Sequence, residues 1–301
     1  MRLIDTIKIA CPLEGKPQEL INRTESPFIW NTFKWTPMFN GHQELSFYKA
    51  KFKNLDLKLY QDKLIVVNSL HKLYLGNNYM PFTYGQVIKA LLLLNHHLPL
   101  DVYQGEVKRL SFGVVIKEHP ESIYNQWLFH LGKPWLPMQS GNKMYGAKFY
   151  LTDYQIKGYN KTTQVQKQSA LVIPENLFRF EIDNAKTKVL NNATNNVGIY
   201  KVRDILEYSK YQKLGDVLLR KFSQIEKQPQ LQLSSLNIKE KRLVASMQNY
   251  QIKESIKKQH FDSYKNDKKK YNQIQKIHAD NYYQEHVFQK LKTAVKYSIN
   301  N

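Results

Sequence analysis

Hydrophobic and polar positions alternate with a period of two through much of the first two-thirds of the chain. Such alternation places successive side chains on opposite faces of a strand. Leu3 to Ile9 follows it, with Asp5 sharing the parity of Leu3, Ile7 and Ile9. A carboxylate on an apolar face must be paired, bound to a metal or placed at the strand end. Leu55, Leu57 and Leu59 alternate with polar residues, and Gln61-Asp62 then turns into the run Leu64-Ile65-Val66-Val67. The pattern predicts a hairpin whose second strand is buried and continues to Lys72, ahead of a turn at Gly76-Asn77-Asn78. Between Val107 and Ile116, Leu110, Phe112, Val114 and Ile116 share one face, and Arg109, Ser111 and Gly113 the other. Further strands are predicted over residues 149–159 and 177–183.

Helical spacing interrupts this pattern. Thr83-Tyr84-Gly85-Gln86 fits a capping box. Val87, Ile88, Leu91, Leu92 and Leu94 follow, His96 and His97 suit the negative helix end, and Pro99 closes the segment. Pro120 opens a second predicted helix, with Ile123, Trp127 and Leu131 four apart and Gly132 as its stop. After Gly198 short helical stripes recur: Val202, Ile205 and Leu206; Leu214, Val217, Leu218 and Phe222; Leu243, Met247 and Tyr250. Residues 12–42 carry four prolines and read as loop and short strands. Their aromatics, Phe28, Trp30, Phe33, Trp35 and Phe39, suit a core or stacking on bases. The sequence shows no internal repeat. The order of elements predicts an α+β fold, a mostly antiparallel sheet with packed helices, followed by a basic helical C-terminal region.

Composition narrows the partners. The 301 residues suffice for one large or two modest domains, and 42% are hydrophobic. There are 45 Lys and Arg against 25 Asp and Glu, a formal charge of +20. Such a field favours a polyanion, with nucleic acid first and a membrane surface second. No apolar run approaches the length of a spanning helix. The N-terminus lacks the apolar stretch of a secretory signal. The single Cys11 excludes an internal disulfide and a cysteine-rich zinc site. The chain reads as cytoplasmic. Residues 201–301 hold 21 of the basic and 10 of the acidic side chains, about twice the positive charge per residue of the rest. A boundary between 200 and 235 follows, with the polar segment Gln228 to Ser235 as linker and domains at 1–200 and 201–301. Residues 257–270 include six lysines, which make a solvated helix face or follow a phosphate backbone.

Two segments carry the candidate chemistry. In an extended strand Lys157, Tyr159 and Lys161 share a face, as do Arg179, Glu181 and Asp183. Paired as neighbours, these strands set a phenol among cations and a carboxylate. Such a set supplies a nucleophile, charge for a phosphate and an oxygen ligand for a metal. The same alternation also describes two half-buried strands with their polar faces in water. By the same reasoning His71 is a structural histidine, Glu181 with Arg179 a surface ion pair, and Arg109 the partner of some acid on the sheet.

Five blocks occur in order: Ile4-Asp5-Thr6-Ile7-Lys8-Ile9; Ser69-Leu70-His71-Lys72-Leu73 with Gly76-Asn77-Asn78 and Ala90-Leu91-Leu92-Leu93-Leu94-Asn95; Arg109-Leu110-Ser111-Phe112-Gly113-Val114; Ile156-Lys157-Gly158-Tyr159-Asn160-Lys161; and Leu177-Phe178-Arg179-Phe180-Glu181-Ile182. With these blocks the chain resembles, over residues 1–190, the replication initiators of filamentous phages and related plasmids, the gene II protein family. The resemblance implies an enzyme that nicks one strand of an origin and starts rolling-circle replication through a 5′-phosphotyrosine. It implies Tyr159 as nucleophile and Lys161 as the cation beside it. His71 and Glu181 become ligands of Mg²⁺ or Mn²⁺, and Arg109 and Arg179 hold phosphate oxygens. The sheet becomes the RNA-recognition-like platform of relaxases. Origin DNA, single- and double-stranded, is the expected partner, with host helicase and polymerase beside it and no membrane, in the cytoplasm of a bacterial host. The chain departs from the pattern in two ways. It has no pair of histidines flanking one apolar residue, and Ser111 stands where relatives tend to carry an acid. Glu118 and His119 are the candidates to replace that acid, and Tyr154 is the second choice of nucleophile. The rival reading is a non-catalytic nucleic-acid-binding protein using the same sheet and aromatics. A weaker third is an adaptor for acidic membranes or acidic proteins.

Overall fold

The computed structural model describes residues 3–13, 26–169, 172–228, 230–231, 233–280 and 282–301. The chain lays down its main sheet in two passes. In the first, β1 (Ile4–Pro12) is followed at the far edge by β2 (Phe28–Trp30) and β3 (Phe33–Phe39). Then β4 (Leu45–Phe52), β5 (Leu55–Leu59) and β6 (Lys63–Ser69) meander back until β6 pairs with β1. Helices α1 (Leu70–Leu75) and α2 (Tyr84–His97) lead out of this half. In the second pass β7 (Glu106–Lys117) pairs with the other side of β1. Helix α3 (Pro120–Tyr124) and the hairpin β8 (Trp127–His130) and β9 (Lys133–Pro134) carry the chain to the opposite edge. There β10 (Leu136–Ser140), β11 (Lys143–Tyr150) and β12 (Gln155–Asn160) meander inward. After α4 (Lys161–Ser169), β13 (Leu177–Lys186) closes the gap between β12 and β7.

The result is one antiparallel sheet of eleven described strands in the order β10-β11-β12-β13-β7-β1-β6-β5-β4-β3-β2. Each half is a central strand joined by a meander that arrives from its edge. Because β1 and β7 are antiparallel neighbours, an approximate two-fold axis normal to the sheet relates the halves. Both therefore turn the same kind of face to the same side. The repeat lies in topology, which is why no residue pattern announces it.

One face is apolar throughout, with Ile7, Leu57, Val66, Phe112, Phe178 and Phe180 buried in a single core. Val87, Leu91 and Leu94 of α2 join it. Thr83 starts α2 as its sequence implies, its N–H donating to Gln86 Oε1 at 2.9 Å. Trp35 and Phe33 are core residues, while Phe39 is exposed. Gly158 is the one position on β12 where the core demands a glycine, since a Cβ there would lie 2.2 Å from the Trp127 ring.

Beyond the sheet come α5 (Thr187–Leu190), α6 (Val202–Ile205), α7 (Tyr208–Ser223) and β14 (Ile225–Lys227), the last pairing with β8. Then follow β15 (Gln230–Leu231), α8 (Ile238–Gln248), α9 (Tyr250–Gln259), α10 (Phe261–His278), β16 (Ala279–Asp280) and α11 (Tyr282–Asn300). The C-terminal third divides between two cores. Leu214, Leu218 and Phe222 of α7 and Leu291 and Val295 of α11 belong to the main core, with Phe222 edge-on to Phe180 at 5.0 Å. Leu236 and helices α8 and α10 build a second, smaller core, the helices contributing Val244, Met247, Tyr264, Tyr271 and Ile274, with Ile256 of α9 packed against it. The main core runs through Ile225, the smaller core begins at Leu236, and α11 returns to the sheet. The lysines of α10 face solvent.

Three local expectations are overturned. The single strand read over residues 149–159 folds as two, β11 and β12, joined by a turn at residues 151–154. The strand read through Lys72 stops at Ser69, where Asn68 has φ +130° and Ser69 Oγ caps α1 by accepting from the Lys72 N–H at 3.1 Å. The helix read from Pro120 to Leu131 ends at Tyr124. Trp127 instead begins a strand, and Leu131 and Gly132, with φ +52° and +74°, turn it into β9. Apolar residues four apart share a face in a strand as well as in a helix, and pairing with β14 decided between them.

Candidate functional site

The site lies on the face opposite the core, in the second half of the sheet. Register places Tyr159 directly opposite Arg179, and Lys157 opposite Glu181. Glu181 in turn lies opposite Gly113, and Arg179 opposite Val115. On β1 a bulge separates Ile4, paired with Phe112, from Thr6, paired with Ser111. The extra residue is Asp5. An inserted residue re-aims its side chain, and here the carboxylate reaches the polar face. This resolves the parity that placed Asp5 among apolar neighbours.

The side chains form a chain of hydrogen bonds. Tyr159 Oη donates to Glu181 Oε2 at 3.2 Å. Arg179 Nε donates to the same oxygen, and its Nη2 donates to Asp5 Oδ2 at 3.2 Å. Asp5 Oδ1 accepts from Ser69 Oγ at 2.6 Å, so the network ends on the cap of α1. Arg179 is fully buried, Tyr159 is 4% exposed and Glu181 7%. Burial works against the guanidinium charge, but Glu181, Tyr159 and Asp5 outweigh it and hold Arg179 above its ordinary value. A second group adjoins the first: Asp183 accepts from Ser111 Oγ and from Lys157 Nζ. Burial opposes the Lys157 charge too, and Glu181 and Asp183 raise it above the usual lysine range. An acid thus stands against Ser111 from the neighbouring strand, Asp183.

Tyr159, Arg179 and Glu181 come together as their spacing suggests. Other candidates do not join them in the way expected. Lys161 opens α4 instead of continuing the strand; it is fully buried, and its Nζ donates to Gln164 Oε1 at 2.6 Å. His71 lies in the first turn of α1, its ring stacked on Phe82 at 4.8 Å. Arg109 is exposed, opposite Lys8 and Lys186. It stands six residues before Val115, about 20 Å along β7 from the tyrosine's row. Tyr154 turns into the core, its hydroxyl 3.4 Å from His130 Nε2. Glu118 is held by Lys290 at 2.7 Å on α11, away from the cluster. Asp5 and Asp183 are the members that sequence reasoning left out. Asp183 shares a strand face with Arg179 and Glu181, and the odd parity of Asp5 marked it; only the bulge and the register join them.

The donor set does not fit a metal centre. Among the described residues no three His, Cys, Asp or Glu side chains stand where they could jointly hold an ion. Glu181 and Asp5 share Arg179, and Asp183 takes Lys157, so each of these carboxylates already faces a cation. What the arrangement offers is a phenol donating to a carboxylate, with a guanidinium and an ammonium alongside.

No protein-family model and no curated relative matches the chain. Among solved structures, a rolling circle replication initiator protein from Geobacillus stearothermophilus is similar at 12% identity, over 81% of this chain and 95% of that one, with a TM-score of 0.43. A likeness at this level does not extend to individual residues or to activity. No helix among the described residues is long and apolar enough to cross a membrane.

Proposed function

We propose that this protein nicks and rejoins one strand of DNA through Tyr159, as an initiator of rolling-circle replication. The observation that carries the reading is the Tyr159 hydroxyl hydrogen-bonded to Glu181 beside Arg179, on the strand whose residues carry the family resemblance. A phenol is mostly protonated at neutral pH. Glu181 takes its proton as the oxygen attacks the scissile phosphorus. The new bond joins Tyr159 Oη to the 5′ phosphate. The bond to the 3′ oxygen breaks, and that oxygen takes up a proton, from Glu181 directly or through water, and leaves as the hydroxyl that a host polymerase extends. Arg179 and Lys157 offset the charge that builds on the phosphate. Joining is the reverse attack by a 3′ hydroxyl, and it needs no ATP because the phosphodiester energy is kept in the phosphotyrosine. Mg²⁺ or Mn²⁺ is the cofactor the resemblance implies; none of these steps is routed through it. Origin DNA is the substrate, and a host helicase is the partner proposed for the basic helices α8–α10.

One observation favours the non-catalytic alternative. Tyr159 and Arg179 are buried, so a phosphate reaches them only if the residues that cover them shift. The two readings separate in one assay. The protein is mixed with labelled single-stranded oligonucleotides from its own replicon, with and without Mn²⁺, and run on a denaturing gel. The expected result is a covalent adduct in the wild type and none in Tyr159→Phe, with DNA affinity unchanged. DNA binding without any adduct supports the binding protein instead.

A further inference from the structure

The first half of the sheet offers the same face as the second, with different contents. Lys49 on β4 lies opposite Lys58 on β5, which lies opposite Ile65 on β6 and then Ala10 on β1. In the next row Lys51 leads through Asp56 and Val67 to Lys8 and on to Arg109. The rows span about 19 Å from β4 to β7. Among the described residues Lys8, Lys49 and Lys58 have no carboxylate partner, whereas Lys51 reaches Asp56 at 3.8 Å. Where the rows meet β1, a groove of 600 Å³ opens, floored by Ala10 and Ile65; Lys8 and Lys201 line it, together with Lys63 and Lys108, which are paired with Asp62 and Glu106 of the same lining. Phe47 and Tyr60 lie on this same face, 5.3 Å apart. Lys58 Nζ sits 5.0 Å from the first ring and Lys63 Nζ 5.8 Å from the second.

We propose that this face is a track for single-stranded DNA, passing over Phe47 and Tyr60 and along Lys49, Lys58 and Lys8 into the groove. The inference rests on reading the protein as one that acts on DNA, and not on the tyrosine chemistry. Lysines without acidic partners neutralise phosphates and release counterions. Rings lying on an open sheet are reached by unpaired bases and not by stacked base pairs. The half that lacks the buried cluster thus holds a single strand beside the half that carries Tyr159.

The full chain is titrated into fluorescein-labelled dT20 and into a labelled mixed-sequence duplex, followed by anisotropy over a range of salt. The triple variant Lys8→Gln, Lys49→Gln, Lys58→Gln is expected to bind dT20 about 100-fold more weakly at 0.1 M salt, with a salt slope shallower by about 2. A control losing equal charge elsewhere, Lys133→Gln, Lys292→Gln, Lys296→Gln, is expected to change affinity less than about 3-fold. Phe47→Ala with Tyr60→Ala is expected to weaken dT20 about 10-fold and leave the duplex unaffected. Equal losses in the two lysine triples would overturn the track, as would aromatic variants that weaken duplex and dT20 alike. So would a lysine triple that keeps dT20 binding but loses binding to phosphatidylserine vesicles. A wild type that binds neither DNA fails the DNA reading as a whole. A wild type that binds dT20 through these lysines but forms no adduct keeps the track and removes the nicking step. Melting curves for each variant confirm that the fold is intact.

Discussion

The two halves of the sheet share a topology and treat their polar faces in opposite ways. In the second half the charges are buried and satisfied by one another: Tyr159, Glu181, Arg179 and Asp5 in one chain, Ser111, Asp183 and Lys157 in another. In the first half the cations are exposed or half-buried; Lys51 and Lys63 have acidic partners, and Lys8, Lys49 and Lys58 have none among the described residues. A buried ionic network tolerates little loss, because removing one member strands its partners in a medium that solvates charge poorly. A solvated lysine leaves nothing stranded. Under the proposed function the difference separates a face for chemistry from a face for reversible contact, and the structural contrast itself can be tested through stability alone.

The sharpest break is Arg179→Met. It leaves Glu181 and Asp5 buried without their shared cation and is expected to lower stability by about 3–5 kcal/mol in urea denaturation. A loss below about 1 kcal/mol would mean that the network is loosely held. A somewhat smaller effect concerns His130, which lies beneath the second half against Phe149 and Tyr154. Burial, with Lys221 adding to it, pushes its imidazole down to about 4. The folded state therefore refuses a proton that the unfolded chain accepts near pH 6.5. Stability is expected to fall as pH drops from about 6.5 to about 4, by up to about 3 kcal/mol, and then to level off as far as this residue is concerned. His130→Gln should flatten that part of the profile relative to the wild type; an unchanged slope would assign it to other groups. The smallest effect is the informative counterpart. Lys8→Gln, Lys49→Gln and Lys58→Gln together should shift stability by less than about 1 kcal/mol. A loss comparable to that of Arg179→Met would erase the contrast between the halves.

How much of this was legible in the sequence depends on the range of the interaction. The faces of β7 and β13 could be read directly, because period-two alternation is local and both strands are covered on one side. The grouping of Tyr159, Arg179 and Glu181 followed, since neighbouring strands set those parities together. The start of α2 was legible because its cap is a four-residue motif. Asp5 was not placed, since a bulge depends on what the partner strand offers. His71 and Lys161 were read as strand residues because the helices they enter begin within one or two positions of a strand's end. Trp127 was misread because its position is fixed by β14 and Gly158, which lie far from it in the chain. The two-fold relation between the halves left no trace in residue types, since one face evolved buried pairs and the other solvated lysines.

The central claim is that Tyr159, and no other of the 20 tyrosines, forms the bond to DNA. The most direct measurement is mass spectrometry of the covalent adduct after nuclease trimming and trypsin digestion. Cleavage after Lys157 and Lys161 releases Gly158-Tyr159-Asn160-Lys161. The expected result is a nucleotide phosphate on that tetrapeptide, lost in Tyr159→Phe. A nucleotide on the peptide that holds Tyr154, or an adduct that persists in Tyr159→Phe, would contradict the assignment.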